Sequence, residues 1–254
     1  MRLVLDAVVD HTSDQHPWFN KNGMGQGAFH DENSPYRRFY IFDPQGGYVG
    51  WKGVSSLPKL DFATKEVQDI VYRADDAILR YWLRAPYNID GWRLDVAHMI
   101  GENGTAKGNH YHLREMRQTM KQENPESYML GEHFFEASPW LQGEQEDGAM
   151  NYYGFAHPVR AFLANQDIAY HPVKITAEEF DQWLKQARCS IPFANQLAQF
   201  NLLDSHDTAR FLSLVGGDVA LMRTAVTLLF TYIGTPCIYY GDEVGMEGGR
   251  DPDC

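Results

Sequence analysis

Two kinds of pattern alternate along this chain. Short β-branched apolar runs end abruptly in charged or hydrogen-bonding residues, and longer segments between them repeat apolar residues at helical spacing. Residues 3–11 (LVLDAVVDH) predict a buried strand with polar groups at its C-terminal end. Residues 12–62 hold glycine, proline, asparagine and aromatics with no sustained period, which predicts an inserted lid or small subdomain. Thr64 is placed to cap a helix that continues through Val67, Ile70, Val71, Ala74, Ile78, Tyr81 and Trp82 as far as Pro86. Strands are expected at 88–96 and 127–134, on either side of a helix at 109–123 that Asn124-Pro125 stops. A weaker strand is expected near 149–151, then a helix at about 155–164. Another helix is expected at 176–188, where Thr176 and Glu179 have capping-box spacing. A strand at 197–207, a helix at 218–230 and a strand at 235–243 complete the series.

Strands alternating with helices predict a parallel sheet with crossover helices. In a β/α barrel, functional groups gather at the C-terminal ends of the strands. The pattern gives six strand–helix steps, the last without its helix, and no internal repeat.

Composition narrows the classes. With 254 residues and 44% hydrophobic content, the chain can bury a sizeable core. A formal net charge of −12 disfavours a nucleic-acid partner, which calls for a basic face. No apolar run reaches membrane-spanning length and no secretory signal opens the chain, so a cytoplasmic setting without membrane partners is expected. Cys189, Cys237 and Cys254 are odd in number and far apart, with neither metal-site spacing nor a disulfide framework.

Chemistry-capable residues collect at four predicted strand ends: Asp6 with Asp10 and His11, Arg93 with Asp95, Glu132 with His133, and His206 with Asp207. Each is weak alone. An acid after a strand commonly caps a helix or sits in a solvated turn. Arg93 and Asp95, two apart on one strand face, could be a structural ion pair, and Asp207 could simply begin a helix. Their shared position at successive strand ends is what favours chemistry. Three acids at one mouth suit glycoside hydrolysis, which needs a carboxylate on one side of the scissile bond and a proton donor on the other.

The same segments resemble the ordered blocks of the α-amylase superfamily, glycoside hydrolase family 13. DAVVDH, GWRLDVAH, GEHF and LLDSHD resemble its first four blocks, and GTPCIYYGDE (234–243) its block at the eighth barrel strand. LPKLDF (57–62) resembles the block ending the long insertion, in the form of the neopullulanase and cyclomaltodextrinase branch. Within that branch, SLPKLD, SHDTAR and GEHF look most like maltodextrin glucosidases.

The resemblance implies a (β/α)8 TIM barrel of which strands 3 to 8 are present. Residues 1–11 and 63–254 would form the partial catalytic barrel, with 12–62 inserted after strand 3. It implies a retaining hydrolase cleaving α-1,4 bonds of short maltodextrins and releasing glucose. Neopullulanase, cyclomaltodextrinase or transferase activity is the alternative within the same chemistry. Asp95 would be the nucleophile and Glu132 the general acid/base, starting protonated in a poorly solvated pocket. Asp207 would hold sugar hydroxyls. His11, Arg93, His133 and His206 would bind substrate, with Arg93 keeping Asp95 ionised and Asp6 orienting Arg93. Trp18, Trp51, Phe134 and Phe135 are candidates for stacking on sugars, and core packing explains each equally well.

No cofactor is implied. Asp10 stands where many members have Asn, a position that ligates calcium in some, but no acid cluster supports calcium here. His98 and Met99 stand where many members have Lys and His. The chain reads as a fragment of a catalytic domain, from a parent of a homodimer-forming branch. Two barrel strands, a sugar-stacking tyrosine and the flanking domains would lie outside it, and the isolated chain is expected to be marginal and nearly inactive. A non-catalytic interaction protein on this fold is a further reading, against which all three acids stand. A nucleotide-binding α/β protein is disfavoured, because no glycine-rich phosphate loop follows a strand.

Overall fold

The computed structural model describes residues 1–23 and 26–254; residues 24 and 25, within the expected insertion, lie outside the described residues. The chain divides into two compact units, Met1–Glu132 and His133–Cys254.

In the first unit, β1 (Val4–Ala7), β2 (Gly91–Leu94) and β3 (Tyr128–Gly131) lie parallel in that order. The register sets Asp6 beside Arg93 and Arg93 beside Leu130. Asp90 starts the sheet: its backbone N–H donates to Leu3 O at 2.7 Å and its carbonyl accepts from Tyr128 N at 2.8 Å. Gly91 is required next, since a Cβ there would come within 2.2 Å of Tyr128 O. Alternation then turns Trp92 and Leu94 to the buried side, where Trp92 Nε1 donates to Leu79 O at 3.2 Å. Arg93 takes the opposite face.

The helix predicted from Thr64 to Pro86 is broken in two. α1 (Lys65–Gln68) runs on through a π-helical turn (Asp69–Arg73), and the chain then leaves helical geometry at Ala74, ψ 160°, before α2 (Ile78–Tyr81). Asp75 sits in the break and receives Arg84 Nη2 at 2.9 Å. Thr64 does not cap; its hydroxyl donates to Arg38 O at 2.7 Å instead. α3 (Asn109–Glu123) has the predicted bounds, burying Leu113, Met116 and Met120. Residues 12–62 are tied to the end of β1 by antiparallel bridges His11 to Lys59 and Tyr40 to Leu60. Their own small core centres on Phe19, fully buried, with Phe29, Tyr40, Phe42 and Tyr48 around it at 4.7–6.0 Å between ring centres.

In the second unit, β4 (Gly148–Ala149) is followed by a parallel bridge from Met150 to Phe200 in β5 (Phe200–Asn201), which pairs in parallel with β6 (Thr235–Pro236). The expected strands at 197–207 and 235–243 are thus far shorter than their apolar runs. Part of the first run begins instead as helix Phe193–Leu197, named α6 below. The helix expected at 155–164 begins earlier, as π-helical Tyr152–Ala156, then α4 (His157–Val159), then π-helical Arg160–Ala164. α5 (Ala177–Cys189) forms with the Thr176–Glu179 capping box complete, and α6 follows it. α7 (Phe211–Leu214) precedes α8 (Val219–Thr231), which Asp218 caps. The core joins Phe155, Val159, Phe180, Leu184, Leu203, Phe211, Met222 and Leu229.

Two buried acids in this unit oppose one another. Asp204, at the end of the β5 segment, hydrogen-bonds to Asp242, and its Oδ2 accepts the Phe211 N–H at 2.6 Å. Burial first, then repulsion from Asp242, pushes the Asp204 carboxyl up to about 7. The sign follows: the folded chain binds a proton that the unfolded chain releases near pH 4. This contribution to stability is present at low pH and is lost as pH rises from about 4 to about 7. Asp204→Asn, which keeps an oxygen for Phe211, should flatten that part of the profile. The check is urea unfolding of both proteins at several pH values. Parallel stability curves across this window would contradict the assignment.

Candidate active site

The first unit gathers three of the expected site residues around the guanidinium of a fourth, Arg93. Asp6, Arg93 and the residues two beyond Arg93 and Leu130, namely Asp95 and Glu132, share one face of the sheet. Arg93 Nη1 donates to Asp6 Oδ1 at 2.7 Å and to Asp95 Oδ1 at 3.1 Å, while Nη2 lies 3.0 Å from Glu132 Oε2. Burial alone would lower the guanidinium pKa, but Glu132, Asp6 and Asp95 together outweigh it and hold it above its ordinary value. The cation therefore serves three carboxylates: Glu132 joins the Asp6 and Asp95 that the resemblance had set against it.

Both acids sit just past their strands. Asp95 N–H donates to Ala7 O and Glu132 N–H to Leu94 O, each at 3.2 Å, so the ladder ends at these residues. The next residue, Val96, adopts φ 40°, ψ 43°, a left-handed conformation that is an outlier for a β-branched side chain. Such strain costs about 1–3 kcal/mol and persists where surrounding contacts enforce it. Here Val96 is buried and its N–H donates to Glu132 Oε2 at 2.8 Å. His98 adds a contact between its Nδ1 and Glu132 O at 3.3 Å. Sequence reasoning assigned Val96 no role, and a valine in a left-handed turn leaves no signature in composition.

His11 is buried, with Nδ1 3.5 Å from Asp10 Oδ2, and its ring lies 5.9 Å from that of Trp51. His11, His16 and Trp18 line an open cavity of about 340 Å³. Asp10 carries a second contact that the sequence pattern missed. The Lys59 ammonium, itself buried, donates to the Asp10 carboxylate and to Met99 O. A carboxylate and a carbonyl are donors a calcium ion also takes, and here an ammonium occupies both. Among the described residues, no group of three or more His, Cys, Asp or Glu side chains is placed to hold a metal ion.

The second unit carries the other three expected residues. His206 is exposed, with Nε2 3.3 Å from Asp207 Oδ2, and Ser205 Oγ accepts the Asp207 N–H at 3.1 Å. His133 corrects the expectation of a sugar-binding role. It is fully buried, its Nε2 lies 2.9 Å from both oxygens of the equally buried Glu146, and its ring stacks on Trp140 at 4.5 Å. With that edge committed to a carboxylate and its face to an indole, His133 is an interior residue. Phe134 stacks on Tyr152 at 4.1 Å, the packing reading, while Phe135 is exposed. Arg210, three residues after Asp207, was also missed. Fully buried, it donates to Tyr240 O at 2.5 Å and Cys254 O at 2.7 Å, with the Tyr239 ring 4.0 Å away.

A parallel-strand sheet with acids at its strand ends defines a class, and comparison places the chain within it. The chain belongs to the α-amylase family: the model of the alpha amylase catalytic domain matches residues 1–251. That domain is a (β/α)8 barrel, and this chain covers part of it. A cyclomaltodextrinase from Bacillus sp is 40% identical over 260 residues, spanning 100% of this chain and 42% of the relative. Neopullulanase 2 of Thermoactinomyces vulgaris is 37% identical, over 100% and 40%. An intracellular maltogenic amylase of Bacillus subtilis is 35% identical, with the same coverage of 100% and 40%. Among solved structures, cyclic alpha-maltosyl-(1→6)-maltose hydrolase from Arthrobacter globiformis, in complex with its namesake sugar, superposes with a TM-score of 0.86. It is 32% identical over 100% of this chain and 53% of that one. The chain thus spans about half the length, or less, of these relatives.

The geometry makes Arg93 the element whose loss the site tolerates least. Arg93→Met leaves three clustered carboxylates without their shared cation and should cost about 3–5 kcal/mol. Equilibrium unfolding at pH 7 measures this. The penalty should shrink on acidification, as protonation relieves the repulsion. A loss below roughly 1 kcal/mol, the value of an exposed ion pair, would mean that Arg93 bridges nothing of consequence.

Proposed function

We propose that this chain carries the reaction centre of a retaining α-glucan hydrolase of the cyclomaltodextrinase and neopullulanase type. One observation supports this above all: the Arg93 guanidinium spans Asp95 at 3.1 Å and Glu132 at 3.0 Å. Carboxylates that close together can flank a single glycosidic bond, for which retaining hydrolases use a separation of about 5–5.5 Å.

In the proposed reaction, an Asp95 oxygen attacks the anomeric carbon, forming a glycosyl ester as the bond to the leaving oxygen breaks. Glu132 delivers its proton to that oxygen, and the shortened glucan departs as an alcohol. Glu132, now a carboxylate, takes a proton from water, whose oxygen attacks the anomeric carbon and releases Asp95. Two inversions return the original configuration. Asp6 orients Arg93. Asp207 accepts hydrogen bonds from sugar hydroxyls, and His11 and His206 donate to the sugar at the cleavage point; His133 has no part.

The named relatives favour ring-opening and pullulan-type hydrolysis over the maltodextrin glucosidase activity suggested by the short motifs. A cytoplasmic setting agrees with the three free cysteines and with the relative described as intracellular.

The test uses the enzyme that contains this chain. Glu132→Gln should lower turnover of cyclic dextrins by about 10²–10⁴-fold. It should spare the first step for an aryl maltoside whose leaving group needs no proton. Asp95→Ala should abolish turnover of both. Product chromatography from a cyclic dextrin, pullulan and maltotriose then fixes the substrate class. Near-normal turnover of a cyclic dextrin in either variant would remove the assignment.

A further inference from the structure

We infer that Tyr170 is a positioning residue whose hydroxyl holds the turn presenting Asp207 to substrate; the role rests on the hydrolase reading. Residues 201–212 are buried except His206 and Asp207, which are exposed at the tip of the turn. A short irregular turn has no ladder to define it, so its buried N–H groups need individual acceptors. Ser205 N–H donates to Thr208 Oγ1 at 3.0 Å, and Asp207 N–H to Ser205 Oγ at 3.1 Å. Thr208 N–H donates to Ser205 O at 3.2 Å, Arg210 N–H to Gly248 O at 3.1 Å, and Phe211 N–H to Asp204 Oδ2 at 2.6 Å. Ala209, buried and two residues past Asp207, donates its N–H to Tyr170 Oη at 3.1 Å. Of these acceptors, Tyr170 Oη is the side-chain oxygen that comes from outside the turn.

Tyr170 is itself held in place. Residues 165–173 form a narrow hairpin, in which Val173 N–H donates to Asn165 O at 3.0 Å and Asp167 N–H to His171 O at 2.9 Å. Asp167 Oδ1 accepts the His171 N–H at 2.8 Å, so the tip is tied on both sides of Tyr170. There Tyr170 takes φ 68°, a left-handed conformation uncommon for a bulky residue, which persists where surrounding contacts enforce it. Those contacts include two guanidiniums, Arg160 at 4.2 Å and Arg250 at 3.6 Å from the ring centre. They fix the ring, and with it the point where the hydroxyl meets Ala209. Tyr170 is only half-buried, so core packing does not require it. Hydrogen bonds from sugar hydroxyls to a carboxylate that strengthen in the transition state act on turnover more than on binding. A displaced Asp207 therefore loses kcat first.

A double-mutant cycle in the enzyme that contains this chain tests the role, with an aryl maltoside whose reactive leaving group keeps slow variants measurable. Tyr170→Phe keeps the ring against its arginines and removes the acceptor. It should lower kcat by about ten- to hundredfold while KM stays within about twofold. In an Asp207→Ala background the same change should alter kcat by less than about twofold, since the carboxylate it positions is gone. If Tyr170→Phe fails to fold, Arg250→Gln at the exposed arginine loosens the ring instead. That variant should lower kcat by about two- to fivefold, the value of an exposed cation–ring contact, and again only where Asp207 is present. Equal losses in both backgrounds would make Tyr170 a support of the fold alone, overturning the inference while leaving Asp207 its role. An unchanged kcat in Tyr170→Phe would overturn it equally. Near-normal turnover in Asp207→Ala would remove the reading of Asp207 and the role of Tyr170 together.

Discussion

The first unit is organised around a single cation facing three anions. Arg93 lies mid-strand and largely buried, so its charge must be met, and the parallel register determines by what. Asp6 is its neighbour across the sheet, while Asp95 and Glu132 arrive from the ends of two strands. Satisfying the arginine therefore aligns the ends of β1, β2 and β3. The ladder stops where the carboxylates begin, and the Val96 turn sends a backbone N–H back to the same Glu132 oxygen that Arg93 approaches. The turn's strain is tolerable because one buried carboxylate receives both donors.

Elsewhere the molecule neutralises buried cations differently. Lys59 is met by one carboxylate and one carbonyl, which fasten the exit of the 12–62 insertion to the end of β1. Arg210 relies on carbonyls and tyrosine rings, with Asp242 no nearer than 3.7 Å, so the segment 239–254 wraps around it. Arg160 has only a tyrosine face. Ranked by compensation, Arg93 is the most fully answered and Arg160 the least. At Arg93 the charge is already used within the fold.

Much of this was legible in the residues. Period-two alternation in DGWRLD put Arg93 and Asp95 on one face, and the structure agrees. The capping box at Thr176 and the stop at Asn124-Pro125 depend on neighbours in sequence, and both appear as read. Reading failed where distant partners decide. Thr64 carried a cap signature, yet Arg38 O took its hydroxyl. The apolar runs at 197–207 and 235–243 promised long strands. Most of their residues are instead held by turns and buried polar contacts such as Asp204 to Phe211. His133 stood beside a catalytic candidate and was read as a ligand to sugar; Glu146, thirteen residues on, makes it part of the interior. Nothing local distinguishes a histidine aimed at solvent from one aimed at a buried glutamate.

The shared cation also bears on the proposed reaction. A proton donor facing an arginine looks misplaced, since a cation favours the carboxylate. Counting charge resolves this. Three ionised acids around one guanidinium leave two negative charges in excess, and a proton on Glu132 relieves that repulsion while Asp6 and Asp95 keep Arg93 paired. Once Asp95 is esterified its charge is gone, one acid fewer competes for Arg93, and the guanidinium's field falls more fully on Glu132. In the proposed reaction the same side chain would thus assist donation before the ester forms and acceptance after it.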